Sequence, residues 1–64
     1  MNPNSLKSMI AIWKEAKTRY QTDYDTAVRH DDYGAKEFST EMIAYSQKRI
    51  DGLEKDLLKI KKAV

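Results

Sequence analysis

The one histidine of the sequence stands beside two acids, and this group is where metal or proton chemistry would be sought first. His30 precedes Asp31 and Asp32, and Asp23 and Asp25 lie a few residues upstream. Imidazole and carboxylate groups bind metal ions, but a metal site needs three or four converging ligands. The spacing after Asp23 also lacks the Gly and Glu of a calcium-binding loop. We therefore predict polar turn residues here, with no metal and no cofactor.

Other signatures of catalysis are missing from the sequence. It has no Cys, one His and two Gly, which leaves no thiolate nucleophile and no glycine-rich phosphate loop. A catalytic carboxylate pair would need a cleft, and 64 residues form at most one small domain. We predict a non-enzymatic protein without catalytic residues.

Composition and charge indicate a folded chain with no membrane segment. Hydrophobic residues make up 41% and charged residues 34%, and the net charge is +2, a mixture typical of globular proteins. The longest apolar run, residues 9–13, spans five residues, far fewer than the ~20 that cross a bilayer or the apolar stretch of a secretory signal. The sequence therefore predicts a cytoplasmic protein.

Two segments show the apolar period of amphipathic helices. Residues 5–20 predict a first helix capped by Asn4 or Ser5, and residues 40–62 predict a second helix capped by Ser39 or Thr40. The second segment also fits a heptad seam, with Ser46 as its one polar member. The predicted core comprises Leu6, Ile10, Trp13, Phe38, Ile43, Ile50, Leu53 and Leu57.

The segment between these helices decides the fold and has two interpretations. Tyr24, Thr26 and Val28 alternate with polar or small residues, which favours a strand. Turn residues through Gly34 and a short return strand would then complete an antiparallel β-hairpin over residues 23–38. We favour this α+β fold, a single domain over residues 1–64 with two helices flanking a hairpin. The alternative is an all-α helical hairpin in which the first helix continues to about Arg29.

The stretch from Thr22 to Glu54 carries a pattern that matches a known protein family. Ala27 lies in the first strand of this pattern, Asp31 and Asp32 in the turn, and residues 37–40 at the passage into the second helix. The second helix then matches through Ile43, Lys48, Ile50, Leu53 and Glu54, and the first helix is similar only in its apolar pattern. In this pattern the stretch resembles the W-type head-completion (head–tail joining) proteins of long-tailed phages.

The resemblance implies a structural role in the neck of the virion. Such a protein would assemble in the host cytoplasm as a homo-oligomeric ring on the portal protein after DNA packaging. It would help to retain the genome and present a surface to a neck or tail protein. This role includes non-specific proximity to DNA passing through the ring.

Basic side chains and one turn tyrosine are the candidate contact residues. They are Lys7, Lys14, Lys17, Tyr33, Lys48, Lys55, Lys59 and Lys62. The plainer interpretation is a solvated face supported by helix ion pairs. Two other functions remain open. One is a helical-hairpin protein-binding module, an inhibitor or a coiled-coil adaptor, that dimerises or forms a four-helix bundle. The other is a DNA-binding protein that uses the lysine stripe of the second helix, formed by Lys48, Lys55, Lys59 and Lys62, with affinity falling steeply as salt rises.

Overall fold

A computed structural model describes the backbone of residues 2–63 and the side chains of residues 2–62. The first helix, α1, spans Pro3–Arg29, and the second, α2, spans Tyr33–Ala63. No strand occurs within residues 2–63, so the predicted β-hairpin over residues 23–38 is wrong. The fold is the all-α helical hairpin, and the outermost residues of the predicted 1–64 domain, Met1 and Val64, lie outside the described part.

The first helix begins two residues earlier than the sequence pattern predicts. The Asn2 side chain accepts hydrogen bonds from the backbone N–H groups of Asn4 and Ser5, at 2.7 and 3.1 Å. Pro3 follows at the first helical position, where its missing N–H has no helical partner to lose. Asn2 therefore caps α1, and the predicted caps Asn4 and Ser5 are the donors of these bonds.

A three-residue turn, residues 30–32, reverses the chain between the helices. Asp31 adopts a left-handed backbone with φ of 54°. The N–H of Asp31 donates to the Val28 carbonyl at 3.2 Å, and the N–H of Asp32 donates to the Ala27 carbonyl at 2.8 Å. These two bonds form a Schellman motif, which ends a helix by pairing its last free carbonyls. The residue with positive φ in the turn is therefore Asp31, and Gly34 lies inside α2.

The second helix begins at the turn rather than at residue 40. The Asp32 side chain accepts a hydrogen bond from the Ala35 N–H at 3.1 Å, so Asp32 is the N-cap. The predicted caps Ser39 and Thr40 lie inside α2, and the Thr40 hydroxyl donates to the Lys36 carbonyl at 2.9 Å. The aspartate cluster thus serves to stop one helix and start the next.

An apolar seam running the length of α1 explains why that helix continues past Tyr20. Its seam residues follow one another at alternating spacings of four and three, which keeps them on one face of a helix. They are Leu6, Ile10, Trp13, Lys17, Tyr20, Tyr24 and Ala27, with the partly buried Lys17 as the one charged member. Asp23 and Asp25 are solvent-exposed, so their low helix propensity is outweighed by packing along the seam. Of the residues that suggested a strand, Thr26 and Val28 are exposed and lie outside this seam.

The core lies in the half of the hairpin that holds the chain termini. Leu6 and Ile10 of α1 pack with Ile50 and Leu53 of α2, and these four side chains are buried. Met9, Trp13, Leu57 and Ile60 pack around them and remain partly exposed. Towards the turn the buried residues are small, namely Ala27, Ser39 and Ser46. Small side chains allow the two helix backbones to approach closely there.

The hairpin is a single layer of two helices. Its Cα extents are 50 × 14 × 12 Å and its radius of gyration is 14.8 Å, against about 11 Å for a compact 64-residue domain. Within residues 2–63, neither helix has an apolar stretch long enough to cross a membrane. Stable domains usually pack two layers around one core, whereas both broad sides of the hairpin that residues 2–63 form lack a second layer.

Candidate functional site: an aromatic face on one side of the hairpin

Two aromatic pairs join the helices on the same side of the hairpin. The Trp13 and Tyr45 rings meet edge to face with centroids 5.5 Å apart. The Tyr20 and Phe38 rings meet in the same way at 6.3 Å. Edge-to-face contact is a favoured geometry because the positive ring edge meets the negative ring face. Since Phe38 and Tyr45 are two helical turns apart, both pairs lie along one stripe.

Neighbouring apolar residues extend these pairs into a continuous surface, the aromatic face. The α2 members recur at spacings of four and three, which places them on one side of the helix. The aromatic face consists of Met9, Ile12, Trp13, Ala16 and Tyr20 on α1, and Phe38, Met42, Tyr45, Arg49 and Gly52 on α2. Three of these side chains are strongly exposed: Ile12 is 61% exposed, Phe38 57% and Tyr45 49%.

A groove of about 810 Å³ runs along the part of the aromatic face nearest the termini. Met9, Tyr45, Arg49 and Gly52 are among the residues that line it. A Cβ atom built on Gly52 meets nothing within 4 Å, so the missing side chain leaves open space in the groove wall. The Arg49 guanidinium lies 5.8 Å from the centre of the Trp13 ring, within the range of a cation–π contact.

The opposite side of the hairpin has a different chemistry. The Lys17 ammonium donates a hydrogen bond to the Gln47 side-chain oxygen at 2.6 Å, and Gln47 donates to Asp51 at 2.7 Å. Leu58 lies on the same stripe of α2, eleven residues beyond Gln47 and seven beyond Asp51, and is 56% exposed. Leu58 therefore matches Phe38 in exposure but lies away from the aromatic face.

The predicted contact residues do not form one surface. Lys48, Lys55 and Lys59 line the groove beside Gly52, so the lysine stripe of α2 forms its outer wall. Lys7 and Lys14 are exposed on α1, and Lys62 is exposed beyond the groove. Lys17 is the partly buried donor to Gln47. Tyr33 is 71% exposed and lies at the far end, in the first turn of α2.

The predicted core residues divide between the core and the aromatic face. Leu6, Ile10, Ile50 and Leu53 are buried, whereas Ile43 and Leu57 are partly exposed. Trp13 lies at the edge of the core, with one side of its ring against Tyr45. The prediction of Phe38 as a core residue is wrong: its side chain is 57% exposed, because the neighbouring Ser39 occupies the buried position.

The histidine and its neighbouring acids have structural roles in the turn. His30 is the C-cap residue of α1 and is exposed. The Asp32 carboxylate accepts a hydrogen bond from the backbone N–H of Ala35. Within residues 2–63, no group of three or more metal-binding side chains converges. What the arrangement offers instead is a contact surface built from aromatic rings, methionines and one cation.

The sequence contains a pattern that could have predicted this surface, although Phe38 was predicted as a core residue. Residues 38, 42, 45, 49 and 52 repeat at heptad-like spacing, one position before residues 39, 43, 46, 50 and 53, of which all but Ile43 are buried. The helix therefore carries a second stripe beside the buried one, with Phe38, Met42 and Tyr45 as its large apolar members. No protein-family model, curated protein or solved structure matches the chain.

Proposed function

We propose that this chain is a non-catalytic protein-binding module, a helical hairpin that docks onto another protein through the aromatic face. The observation that carries the proposal is the pair of exposed ring contacts, Trp13–Tyr45 and Tyr20–Phe38, aligned on one side of the molecule. Interfaces are enriched in Trp, Tyr, Phe, Met and Arg, and contiguous exposed apolar patches mark binding sites.

Burial of the aromatic face against a partner is expected to be energetically favourable. Burying apolar surface stabilises a complex by roughly 25 cal/mol per Å² before the costs of association. The rings at positions 13 and 45 are held in place by each other and by Arg49, so little side-chain freedom remains to be lost on binding. Such preorganised aromatic anchors are typical of interface hot spots.

Residues 2–63 lack the helix–hairpin–helix layout on which the predicted neck-adaptor function was based. The resemblance to head-completion proteins depended on a β-hairpin between two helices, and residues 23–38 instead lie in two helices and a three-residue turn. Portal, neck and tail partners and a location in the virion stay predictions of the resemblance alone. The protein-binding module depends on no strand, and it requires neither catalysis nor a cofactor.

Site-specific photo-crosslinking in the cells that produce the protein tests this proposal. Tyr45 is replaced by the photoreactive residue p-benzoylphenylalanine, which keeps an aromatic ring at the centre of the aromatic face. The matched control carries the same residue at Leu58, where exposure is similar but the surface is different. Crosslinked products are identified by mass spectrometry.

We expect position 45 to give a discrete crosslinked protein and position 58 to give none. A product at position 45 that is lost when Ile12→Ser is added would tie the contact to the aromatic face. Equal crosslinking at both positions, or none at position 45 while the chain is folded and abundant, would contradict the proposed function.

A further inference from the structure

We infer that the occupant of the aromatic face is a second copy of this chain, stacked antiparallel to form a four-helix bundle. The inference rests on the proposed function, since it names the partner for the same surface. In this arrangement a two-fold axis lies in the interface, crosses the helices near Tyr45, and places α2 of one copy over α2 of the other in the opposite direction.

The exposed area of the hairpin fits one further layer of this size. Its accessible surface is 4974 Å², whereas a compact protein of 7.5 kDa exposes about 4,250 Å². The broad side measures 50 by 14 Å between Cα atoms, about 700 Å², close to the ~800 Å² per partner of a standard stable interface. A second hairpin has the length and width to cover it completely.

The charge distribution selects the antiparallel direction. The turn half, residues 17–47, carries four Lys or Arg and six Asp or Glu, a net charge of −2. The terminal half, residues 1–16 with 48–64, carries eight Lys or Arg and four Asp or Glu, a net charge of +4. Antiparallel stacking sets the acidic half of each copy over the basic half of the other, whereas parallel stacking would set like charges together.

The two-fold axis also places an exposed ring of one copy over an open part of the groove of the other copy. Phe38 and Gly52 lie seven residues on either side of Tyr45 on the same stripe of α2. Rotation about an axis near Tyr45 therefore exchanges their levels, so Phe38 of one copy lies over Gly52 of the other. Phe38 is the exposed ring, and Gly52 is the gap in the groove wall. Each dimer contains this contact twice, as an isologous interface requires.

Sedimentation equilibrium on the full chain tests the inference. Wild-type protein should pass from the 7.5 kDa monomer to a species of twice that mass as concentration rises. Gly52→Gln should raise the dimer dissociation constant at least tenfold, because its side chain fills the groove. The same change should leave helicity by circular dichroism equal or higher, since Gln is the better helix former. Leu58→Gln on the opposite side should associate like wild type.

Disulfide trapping tests the register of the two copies, and since the sequence contains no Cys, only the introduced thiols can react. An equimolar mixture of Phe38→Cys and Gly52→Cys should form a mixed disulfide under mild oxidation, while Leu58→Cys mixed with Gly52→Cys should not. A monomer mass at every concentration, unchanged association of Gly52→Gln, or no mixed disulfide would overturn the second-copy inference. If crosslinking at position 45 then captures a different protein, the proposed function stands and only its self-association is excluded.

Discussion

The Trp13 and Tyr45 rings meet edge to face, with 5.5 Å between the ring centroids. This contact joins the two helices at the border between the buried core and the aromatic face. It has two consequences, because the same pair stabilises the hairpin and presents a preformed surface to a partner. The first consequence is measurable in the isolated chain, and the second only in the associated one.

A double-mutant cycle on Trp13 and Tyr45 should give a favourable coupling energy of about 0.5–1.5 kcal/mol, because edge-to-face pairs contribute that much beyond their area. The variants are Trp13→Leu, Tyr45→Leu and the double change, and urea unfolding followed by circular dichroism at monomer concentrations supplies the free energies. As a control, Trp13→Leu with Leu58→Ala should be additive. A coupling indistinguishable from that control would mean that the rings act independently.

Ser46 should tolerate loss of its hydroxyl but not gain of volume. It is fully buried, and its hydroxyl donates only to the Met42 carbonyl in its own helix, at 2.7 Å. Ser46→Ala should therefore change the free energy of unfolding by less than about 0.5 kcal/mol, whereas Ser46→Leu should lower it by about 1–3 kcal/mol through overpacking. Thermal unfolding of both is compared with exposed Ala44→Leu, which we expect to be neutral. A tolerated Leu at position 46 would show that the helices are not closely packed there.

Glycine should stabilise the protein at Asp31 and destabilise it at Asp25. Asp31 has φ of 54°, where a side chain is strained and Gly is not, so Asp31→Gly should raise the free energy of unfolding by about 1 kcal/mol. Asp25 lies inside α1, where Gly is the poorer helix former. Denaturant unfolding of the two variants gives the comparison. The turn geometry would be refuted by a loss of stability in Asp31→Gly.

The Asp32 carboxylate should act as a helix cap. Because it accepts the Ala35 N–H at 3.1 Å, Asp32→Ala should lower the free energy of unfolding by about 1 kcal/mol, while Asp32→Ser or Asp32→Asn retains most of it. The same unfolding measurement applies. Equal stability of the Ala and Asn variants would show that α2 begins elsewhere.

The two ends of the fold could be predicted from sequence because long apolar periods specify helices there. Leu6, Ile10, Ile50 and Leu53 recur with helical spacing and are buried. The middle could not, because Tyr24, Thr26 and Val28 satisfy both a strand period and a helix period over so short a span. Hydroxyl bonds within α1 also accommodate threonines that disfavour helices: Thr26 donates to the Thr22 carbonyl at 3.1 Å. The deciding information was the register of the partner helix, which fixes which residues the seam buries.

The same missing register hid the aromatic face. Trp13 and Phe38 are both predicted as core residues because they are large and apolar, but only Trp13 packs against the core, where it stays partly exposed. Ser39 takes the buried position next to Phe38, and the Phe38 ring is 57% exposed. The lysines, by contrast, were predicted as contact residues because of their charge, and most of them are spread over exposed positions rather than gathered into one site.

The fluorescence of Trp13 tests the central claim most directly, because it is the only tryptophan and lies within the aromatic face. Emission and acrylamide quenching are recorded across the concentration range in which sedimentation reports association, with Leu58→Gln as the matched control. We predict a shift to shorter wavelength and reduced quenching in both proteins as the aromatic face is covered. Association without any change in Trp13 emission or quenching would show that another surface binds the partner, and it would contradict the account.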